Sequence, residues 1–365
     1  MTLLRSIFTA SSLVFFLASC AQEKSPDPDF KPFEEDNSLS VMTYNTENLF
    51  DTLDDAEKMD EAYLPLTVKQ SQAHKDLCLE RNPEPGFRQN QCLNMDWSEE
   101  RVREKARRLA EVISSADPDI VILQEIENIN ALNILNQAFG KKAFPTAILL
   151  EGPDQRGVDV AVLSRLEAAN SQKHRVPLVK ENLGDRPTRS ILQVDLKLKS
   201  GEILTVFGVH FPAPYNPIAH RELAFETLLK AYGEVPEQRM VIAAGDFNVT
   251  SQEDSESKIL RKYMDRSFVA SHKVGCEKCP GTAYYHHTAP EFRWSFLDIA
   301  FISRNMVGMQ ASASMRLSEE SINIHVPQEY QNNRFGNPAH FLDSKLENVR
   351  GVSDHWPLVF DLLPR

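Results

Sequence analysis

The chain has 365 residues, of which 42% are hydrophobic and 25% are charged, and its formal net charge is −12. These fractions are ordinary for a globular protein and exclude global disorder. The acidic balance argues against a sequence-independent nucleic-acid binder, which normally carries a basic stripe. It does not exclude an enzyme that holds a phosphodiester through divalent cations, because the metal then supplies the positive charge.

The N-terminus is predicted to be a targeting segment. Residues 1–19 form a signal peptide in this interpretation, because the apolar stretch 13–17 is too short to span a bilayer. Residues 17–20 (Leu-Ala-Ser-Cys) are similar to a bacterial lipobox, in which the Cys after the cleavage site is acylated. We therefore expect Cys20 to anchor the protein to a membrane, followed by a disordered tether over residues 20–38. The alternative is an ordinary signal peptide with an incidental Cys.

These features predict an exported lipoprotein of the bacterial cell envelope. The residue after Cys20 is Ala21 rather than Asp, which favours the outer membrane where the cell has two membranes. Export also bears on the remaining cysteines, which are Cys78, Cys92, Cys276 and Cys279. An even count in an oxidising compartment predicts two disulfides, with three connectivities open.

Two of these pairings have a local rationale. Cys78–Cys92 would hold a polar insertion together, and Cys276–Cys279 would close a tight loop. The alternative for the second pair is a zinc site that adds two nearby histidines, chosen from His272, His286 and His287. The disulfide is preferred, because metal-type spacing of cysteines is more typical of reducing compartments.

Residues 39–365 are predicted to form one domain, with polar insertions near 51–95 and 319–349. Alternating or continuous apolar runs predict strands, and recurrence at three and four residues predicts helices. The strands are expected at 39–45, 120–124, 147–151, 158–164, 191–197, 204–210, 241–244, 295–302 and 357–362. Helices are expected between Asp96 or Ser98 and Asp117, over 129–139 and over 221–232. About ten strands and three or four helices indicate two packed sheets with helices outside.

The first of these helices carries many charges. Five basic residues are assigned to the face opposite its apolar stripe, among several glutamates: Arg101, Arg103, Lys105, Arg107 and Arg108. A DNA-contacting patch is one interpretation. The mixed signs favour a solvated face with salt bridges.

Several apolar strands have polar side chains at or near one end. The runs 41–45, 120–125, 206–210, 241–248 and 294–302 each carry a carboxylate, an amide or an imidazole in addition to apolar residues. Residues 351–357 place Ser, Asp and His immediately before a further apolar run. Polar groups at the ends of buried strands can converge on one cleft.

Five segments in this order resemble the motifs of the endonuclease/exonuclease/phosphatase superfamily. They are 42–50 (MTYNTENLF), 118–125 (PDIVILQE), 245–248 (GDFN), 297–298 (LD) and 353–355 (SDH). The resemblance covers residues 40–363 apart from the insertions. It implies a four-layer α/β sandwich, with two packed mixed β-sheets flanked by helices. It also implies cleavage of a phosphate ester by water with Mg²⁺ or Mn²⁺, and with Ca²⁺ as a third candidate.

Three carboxylates are the candidate metal ligands. Glu125 at a strand end is the strongest, since Mg²⁺ is a hard ion that takes few carboxylates. Glu47, two residues after Asn45 and so expected on the same strand face, could add a second contact. Asp354 could bind a second metal or anchor its loop. Asn45 would orient the metal-bound carboxylate or bind a phosphate oxygen, and Arg189 would face the phosphate or a sheet carboxylate.

The remaining candidates are catalytic. The resemblance implies that Asp246 positions or deprotonates the water and that Asn248 binds a phosphate oxygen. It gives His355 a phosphate contact or a proton transfer, and His210 a phosphate contact or protonation of the leaving oxygen. Asp298 lies within an apolar strand, where a carboxylate is costly unless paired, so we expect it to hold the His355 ring.

Three functions remain open at this point. The first is a membrane-anchored, metal-dependent nuclease, which export favours. The second is a phosphodiesterase or phosphatase acting on a phospholipid or a small phosphoester, as sphingomyelinases do. The third is a catalytically inactive binding module, against which the presence of every expected polar residue counts. The expected partners are a nucleic acid or another phosphodiester substrate and the membrane, with the protein itself a monomer.

Overall fold

Two six-stranded sheets form the centre of the fold. The structure is a computed structural model and describes residues 37–184, 186–309, 311–332, 334–343 and 345–365. The predicted signal peptide, the acylated Cys20 and nearly all of the tether lie outside the described residues. Within the described part of the chain, no helix is both long enough and apolar enough to cross a membrane.

The strands follow the chain in a regular alternation with loops and helices. The described residues contain fourteen: β1 (Leu39–Leu49), β2 (Ile120–Ile126), β3 (Thr146–Leu149), β4 (Asp159–Ser164), β5 (Glu167–His174), β6 (Ile191–Lys197), β7 (Ile203–His210), β8 (Met240–Asp246), β9 (Phe268–Ala270), β10 (Ala283–Tyr284), β11 (Trp294–Ser295), β12 (Asp298–Ser303), β13 (Met315–Ile324) and β14 (Leu358–Pro364).

The α-helices lie between these strands. The same described ranges contain nine: α1 (Leu66–Lys69), α2 (Gln72–Arg81), α3 (Phe87–Asn94), α4 (Glu99–Ala116), α5 (Ile129–Ala138), α6 (Ile218–Gly233), α7 (Ser251–Ser257), α8 (Ile259–Met264) and α9 (Ser271–Val274). Of the two predicted caps for α4, Ser98 is the N-cap, and its side chain accepts a hydrogen bond from the backbone of Arg101.

Both sheets are mixed, as predicted. Sheet 1 has the order β13-β14-β1-β2-β4-β3, and sheet 2 has the order β5-β6-β7-β8-β12-β9. The only parallel neighbours among the described strands are β1 with β2 and β7 with β8. In each sheet the parallel pair lies at the centre, so its carboxyl ends open on the same edge.

The four layers follow from the alternation of side chains along the strands. Val41, Ile120 and Ile122 of sheet 1 belong to the cluster that packs against sheet 2. Their neighbours Met42 and Val121 point the other way and pack against α4 and α5. On sheet 2, alternate residues of β7 and β8 likewise pack outward against α6 and α8. The fold is therefore the four-layer α/β sandwich that the sequence predicts.

The sheets approach each other closely at Gly208 on β7. A Cβ atom at this position would lie 2.6 Å from Cγ1 of Val160 on β4 and 3.2 Å from Cγ2 of Ile122 on β2. Protein interiors have no spare volume for such an overlap. A glycine here lets the two sheets pack tightly, two residues before the strand ends at His210.

The two predicted insertions have different structures. Residues 51–95 contain α1, α2 and α3, and the Cys78–Cys92 disulfide joins α2 to α3 as predicted. Cys276 and Cys279 also form a disulfide, rather than the alternative zinc site. The second insertion begins later than the predicted residue 319, because β13 continues to Ile324 and pairs with β14 in sheet 1. The sequence does not predict this strand because many of its residues are polar, as is common for a strand at the edge of a sheet.

Candidate active site

Polar side chains from both sheets meet at the carboxyl ends of the central strands. Asn45 and Glu125 lie near the ends of β1 and β2 in sheet 1. His210 and Asp246 end β7 and β8 in sheet 2, where they are register partners, and Asp298 at the start of β12 is paired with Asp246 on the other side. The Asn45 amide donates a hydrogen bond of 3.1 Å to Oδ2 of Asp246, so the two sheets are joined directly at the site.

The backbone turns sharply at this edge. Glu47, Glu125 and Asn248 have φ values of 52°, 63° and 53°, in the left-handed region that residues other than glycine rarely adopt. The pairing of β1 with β2 shifts register between Asn45 and Leu49 in the same place. Backbone strain of this kind persists where the surroundings hold it, and it is common at active sites.

The turns also correct two predictions. The strand does not continue regularly past Asn45, and the Glu47 carboxylate contacts His340 and the Phe341 backbone. Only the backbone of Glu47 meets the Asn45 amide group, donating to its Oδ1 at 3.0 Å. Likewise β8 ends at Asp246, so Asn248 does not follow it on one strand face. The Asn248 side-chain amide donates to the Phe211 carbonyl at 3.0 Å, and its predicted contact with a phosphate oxygen stays a prediction.

Asp246 is buried and fixed on both carboxylate oxygens. Its Oδ2 accepts from Asn45, and its Oδ1 accepts from the Asn248 backbone at 2.8 Å. Burial raises the pKa of Asp246 to about 7, while the charge of His355 acts in the opposite direction. A carboxyl group with a pKa near neutrality can accept a proton from a nucleophile at physiological pH.

His355 and Asp298 form the predicted pair. Nδ1 of His355 lies 2.6 Å from Oδ2 of Asp298, and both side chains are buried. Burial works against the charged ring, but the carboxylates of Asp298 and Asp354 outweigh it and hold the pKa of His355 well above its usual value. The Thr282 hydroxyl accepts from the Asp298 backbone at 3.1 Å and so helps to position the pair. This arrangement is a positively charged imidazole with a fixed orientation.

His210 differs from His355 in its charge state. Its Nε2 lies 3.6 Å from Oδ2 of Asp246 and 3.8 Å from Oε1 of Glu125. Burial, with the nearby positive charges of Arg189 and Arg156, holds the pKa of His210 well below its usual value. Nδ1 of this ring is buried, and no described residue accepts or donates a hydrogen bond there. The two histidines are therefore a neutral and a charged imidazole in one site.

Arg156 is a site residue that the sequence did not reveal. It precedes β4, and a guanidinium nitrogen lies 3.5 Å from Oε1 of Glu125 and 3.0 Å from Oδ1 of Asn48. Its side chain is 42% exposed. Arg189, in contrast, is buried: it donates to the carbonyls of His210 and Phe211 and pairs with Asp154 at 3.1 Å. Of the two contacts predicted for Arg189, the structure shows one with a carboxylate, although Asp154 lies in the loop before β4 rather than in a sheet. The buried side chain supports the end of β7.

Glu47 lies with a second carboxylate and a histidine. Nδ1 of His340 is 2.5 Å from Oε1 of Glu47, and the Phe341 backbone donates to Oε2 at 2.9 Å. Glu47, His340 and Asp354 each offer a ligand atom, and these atoms lie within 4.8 Å of one another. Burial disfavours the charged His340 ring, but Glu47 outweighs it and raises the pKa of His340 to about 9. Two carboxylates this close suit a divalent cation.

Lys105 corrects the interpretation of α4. Arg101 and Lys105 are fully buried, although both were assigned to the exposed face. Nζ of Lys105 donates to the Val352 carbonyl at 3.2 Å and lies 4.7 Å from the centre of the Phe341 ring. The predicted salt bridges are confirmed for the exposed residues, for example Arg103 with Glu99 at 3.1 Å.

Aromatic side chains lie beside the His355–Asp298 pair. Ala283 on β10 forms a bridge with His355, and Tyr284 follows it. The Tyr284 ring is 5.1 Å from Trp294, 4.8 Å from His286 and 6.0 Å from Phe335, measured between centres. Phe335 is 40% exposed. We call Tyr284, His286, Trp294 and Phe335 the aromatic cluster, and its exposed members could stack on a flat group.

Known proteins with similar sequences and folds give a consistent result. The model of the "Endonuclease/Exonuclease/phosphatase family" matches residues 92–355. An inositol phosphosphingolipids phospholipase C from Schizosaccharomyces pombe is 25% identical over 200 residues, which span 47% of this chain and 43% of the yeast protein.

Solved structures agree with the fold. A humanized Danio rerio TDP2 has a TM-score of 0.53 at 14% identity, with 89% of this chain and 99% of that chain covered. A mannosyl-6-phosphatase from Bacteroides thetaiotaomicron has a TM-score of 0.52 at 15% identity, with 89% and 99% covered. At these identities the similarity to solved structures concerns the fold alone.

Proposed function

Because the chain belongs to the endonuclease/exonuclease/phosphatase family, whose members act on phosphoester bonds, we propose that it is a divalent-metal-dependent phosphodiesterase that uses water as the nucleophile. The observation that carries the proposal is the convergence of Asp246, His210 and the His355–Asp298 pair at one edge of both sheets. Phosphate-ester hydrolysis needs an activated water, neutralised phosphate charge and an assisted leaving group.

Asp246 orients the attacking water and takes its proton in this mechanism. Its two oxygens are held by Asn45 and Asn248, which fixes the carboxylate before substrate binds. A pKa of about 7 suits a group that accepts a proton at neutral pH. Pre-set orientation of this kind lowers the barrier, because the reacting groups need not reorganise.

The two histidines contact the phosphate in different ways. The charged His355 ring donates a hydrogen bond to a phosphate oxygen and stabilises the negative charge that develops there. The neutral His210 ring donates an N–H hydrogen bond to the phosphate without transferring its proton. Of the two roles predicted for His210, the phosphate contact is therefore favoured over protonation of the leaving oxygen. Arg156 offers a further positive charge at the solvent side.

Family enzymes generally use divalent metal ions, and the donor set here fits such an ion. Glu47 and Asp354 supply hard oxygen ligands close together. Glu125, the strongest ligand candidate in the sequence, lies near the end of β2 beside His210 and is not part of that group. An ion held there, Mg²⁺ or Mn²⁺, would neutralise the charge of the phosphate and activate water. It would also balance the acidic charge of the protein in front of an anionic substrate.

A nucleic acid is the first candidate substrate. The aromatic cluster lies next to His355, and base stacking on aromatic rings is worth about 1–3 kcal/mol per base. A phospholipid headgroup is the second candidate, supported by the sequence similarity to the yeast phospholipase C. Cys20 and the preceding residues support a location on the bacterial cell envelope for either activity, with acyl chains as the anchor.

A substrate panel tests the function. The domain from residue 37 onward should be assayed with Mg²⁺, Mn²⁺ and Ca²⁺ on plasmid DNA, RNA, sphingomyelin and bis(p-nitrophenyl) phosphate. Hydrolysis of a diester that stops with EDTA and returns with metal supports the proposal. Asp246→Asn, with Asp265→Asn on the surface as the matched control, should lose turnover selectively. Activity that EDTA leaves unchanged would overturn the metal dependence.

A further inference from the structure

His340 lies after β13 in the second insertion and outside every motif that the sequence suggested. Nδ1 of His340 is 2.5 Å from Oε1 of Glu47, and a ring nitrogen lies within 4.8 Å of a ligand oxygen of both Glu47 and Asp354. Glu47 precedes His340 by 293 residues in the sequence, and Asp354 follows it by 14. The contact is therefore a product of the fold.

The backbone around His340 is held firmly. The Phe341 backbone donates to Oε2 of Glu47 at 2.9 Å, and the Phe341 ring is buried against Trp97 and under Nζ of Lys105. On the other side, the Val352 backbone donates to the Ala339 carbonyl at 2.9 Å. The residues on both sides of His340, Ala339 and Phe341, are thus held by hydrogen bonds, which fixes the position of the imidazole.

Gly351 makes this approach possible. A Cβ atom there would lie 1.6 Å from the Ala339 carbonyl oxygen, so any side chain would displace residues 339–340. Gly351 also begins the segment that carries Asp354 and His355. Residues 339–341 are consequently clamped between Glu47 on one side and the Asp354 segment on the other.

An imidazole changes what such a site prefers. Mg²⁺ takes oxygen ligands and accepts nitrogen poorly, whereas imidazole suits transition metals. We propose that His340 is a direct nitrogen ligand of the divalent ion, together with Glu47 and Asp354, binding as the neutral imidazole with its ring proton released to solvent, and that it makes the site prefer Mn²⁺ or another first-row transition ion over Mg²⁺. This inference rests on the proposed metal dependence and adds to it the identity of the ion.

The rival role for His340 is a hydrogen bond that only orients Glu47. His340→Gln separates the two, because glutamine can still donate to Glu47 but does not replace an imidazole nitrogen on a metal. His325→Gln is the matched control, since the His325 ring contacts the Ser115 hydroxyl and is not part of the group formed by Glu47, His340 and Asp354. Circular dichroism and a thermal melt without metal establish that each variant is folded.

Two measurements without substrate give the answer. Calorimetry of the domain should show Mn²⁺ binding more tightly than Mg²⁺. His340→Gln should weaken Mn²⁺ binding by at least the roughly 10–100-fold that loss of an outer-shell partner costs, and should weaken Mg²⁺ binding much less. Pulsed electron paramagnetic resonance of the Mn²⁺-loaded domain should show a nitrogen coupling that His340→Gln removes and His325→Gln keeps. Equal loss for both ions, or an unchanged nitrogen coupling, would overturn the inference while leaving the metal dependence intact. Failure of the wild-type domain to bind either ion would overturn both proposals.

Discussion

The His355–Asp298 pair gives the sharpest test at the residue scale. Asp298→Asn keeps the shape of the side chain but removes the charge 2.6 Å from the His355 ring. We expect kcat to fall by about 10²–10⁴-fold, as His355→Ala should, because both changes disable the same imidazole. The double variant should be little worse than either single one, since residues that act as a unit are not additive.

Histidine NMR separates this effect from general damage. In Asp298→Asn the pKa of His355 should drop towards its ordinary value, because Asp298 is the main charge that opposes burial. Asp265→Asn, on an exposed turn, should change neither kcat nor that pKa. Additive losses in the double variant, or a His355 pKa that stays high without Asp298, would refute the pairing as the functional unit.

The pH dependence of turnover should report Asp246. Its pKa is raised to about 7 by burial, and the ionised carboxylate is the form that accepts a proton. Turnover should therefore rise with pH through about 7 and level off above it. The hydrogen bond from Asn45 stabilises the charged Asp246 carboxylate and so lowers its pKa. Asn45→Ala removes this bond, so the acid limb of the pH profile should move to higher pH. A pH–kcat profile of wild type and variant checks both; an unmoved limb contradicts the assignment.

At the scale of elements, α4 carries a buried cation whose cost depends on pH. Burial lowers the pKa of Lys105 to about 8, while Glu47 and Asp354 oppose this. The folded state thus binds fewer protons than the unfolded state between about pH 8 and 10.5. Stability due to this group rises over that window, by up to about 3 kcal/mol.

Lys105→Met should remove that rise. Unfolding free energies should be measured in urea with EDTA present. From pH 7 to pH 10, the stability of the wild type should rise relative to that of the variant. Lys262→Met, at a position where the ammonium pairs with Glu222 on the surface, is the control and should show no such trend. A difference for Lys105→Met that is independent of pH would show that the buried ammonium does not titrate in this window.

The two disulfides should contribute unequally. Cys78 and Cys92 are 14 residues apart and join α2 to α3, whereas Cys276 and Cys279 are only 3 apart. A longer closed loop restricts the unfolded chain more, which gives about 3 kcal/mol for the first and about 2 kcal/mol for the second. Paired Cys→Ala variants measured by urea unfolding should therefore differ in that order. A larger loss for the short loop would contradict the entropic account.

The central strands were predictable from the sequence, because they are continuous apolar runs that are buried on both faces. Their polar ends were predictable too, since Asp246 and His210 interrupt such runs. The edge strand β5 was missed, because its eight residues are mostly polar and exposed. Lys105 was misassigned since a lysine on a charged helix gives no sign of burial. Arg156 and His340 come from loops without periodicity, and only the three-dimensional fold brings them to the site.

On the scale of the whole molecule, the site exists only because the two sheets pack face to face. Sheet 1 supplies Asn45, Glu47 and Glu125, and sheet 2 supplies His210, Asp246 and Asp298. The Asn45–Asp246 hydrogen bond joins the halves at the cleft, and Gly208 permits the close approach behind it. Loosening the interface at Gly208 therefore affects the geometry of the site as well as the stability of the core.

The location of the whole protein is a separate prediction that depends on Cys20. The short apolar stretch and the residues 17–20 predict cleavage before Cys20 and acylation of its thiol. Two or more acyl chains hold a protein on a membrane stably, whereas a single chain does so only marginally. In cells labelled with a fatty-acid analogue, the wild-type protein should carry label and sediment with membranes. Cys20→Ser should lose the label and keep the catalytic domain active, while Cys78→Ser should keep the label. An unlabelled wild-type protein, or a mature mass that retains Met1, would disprove the anchor.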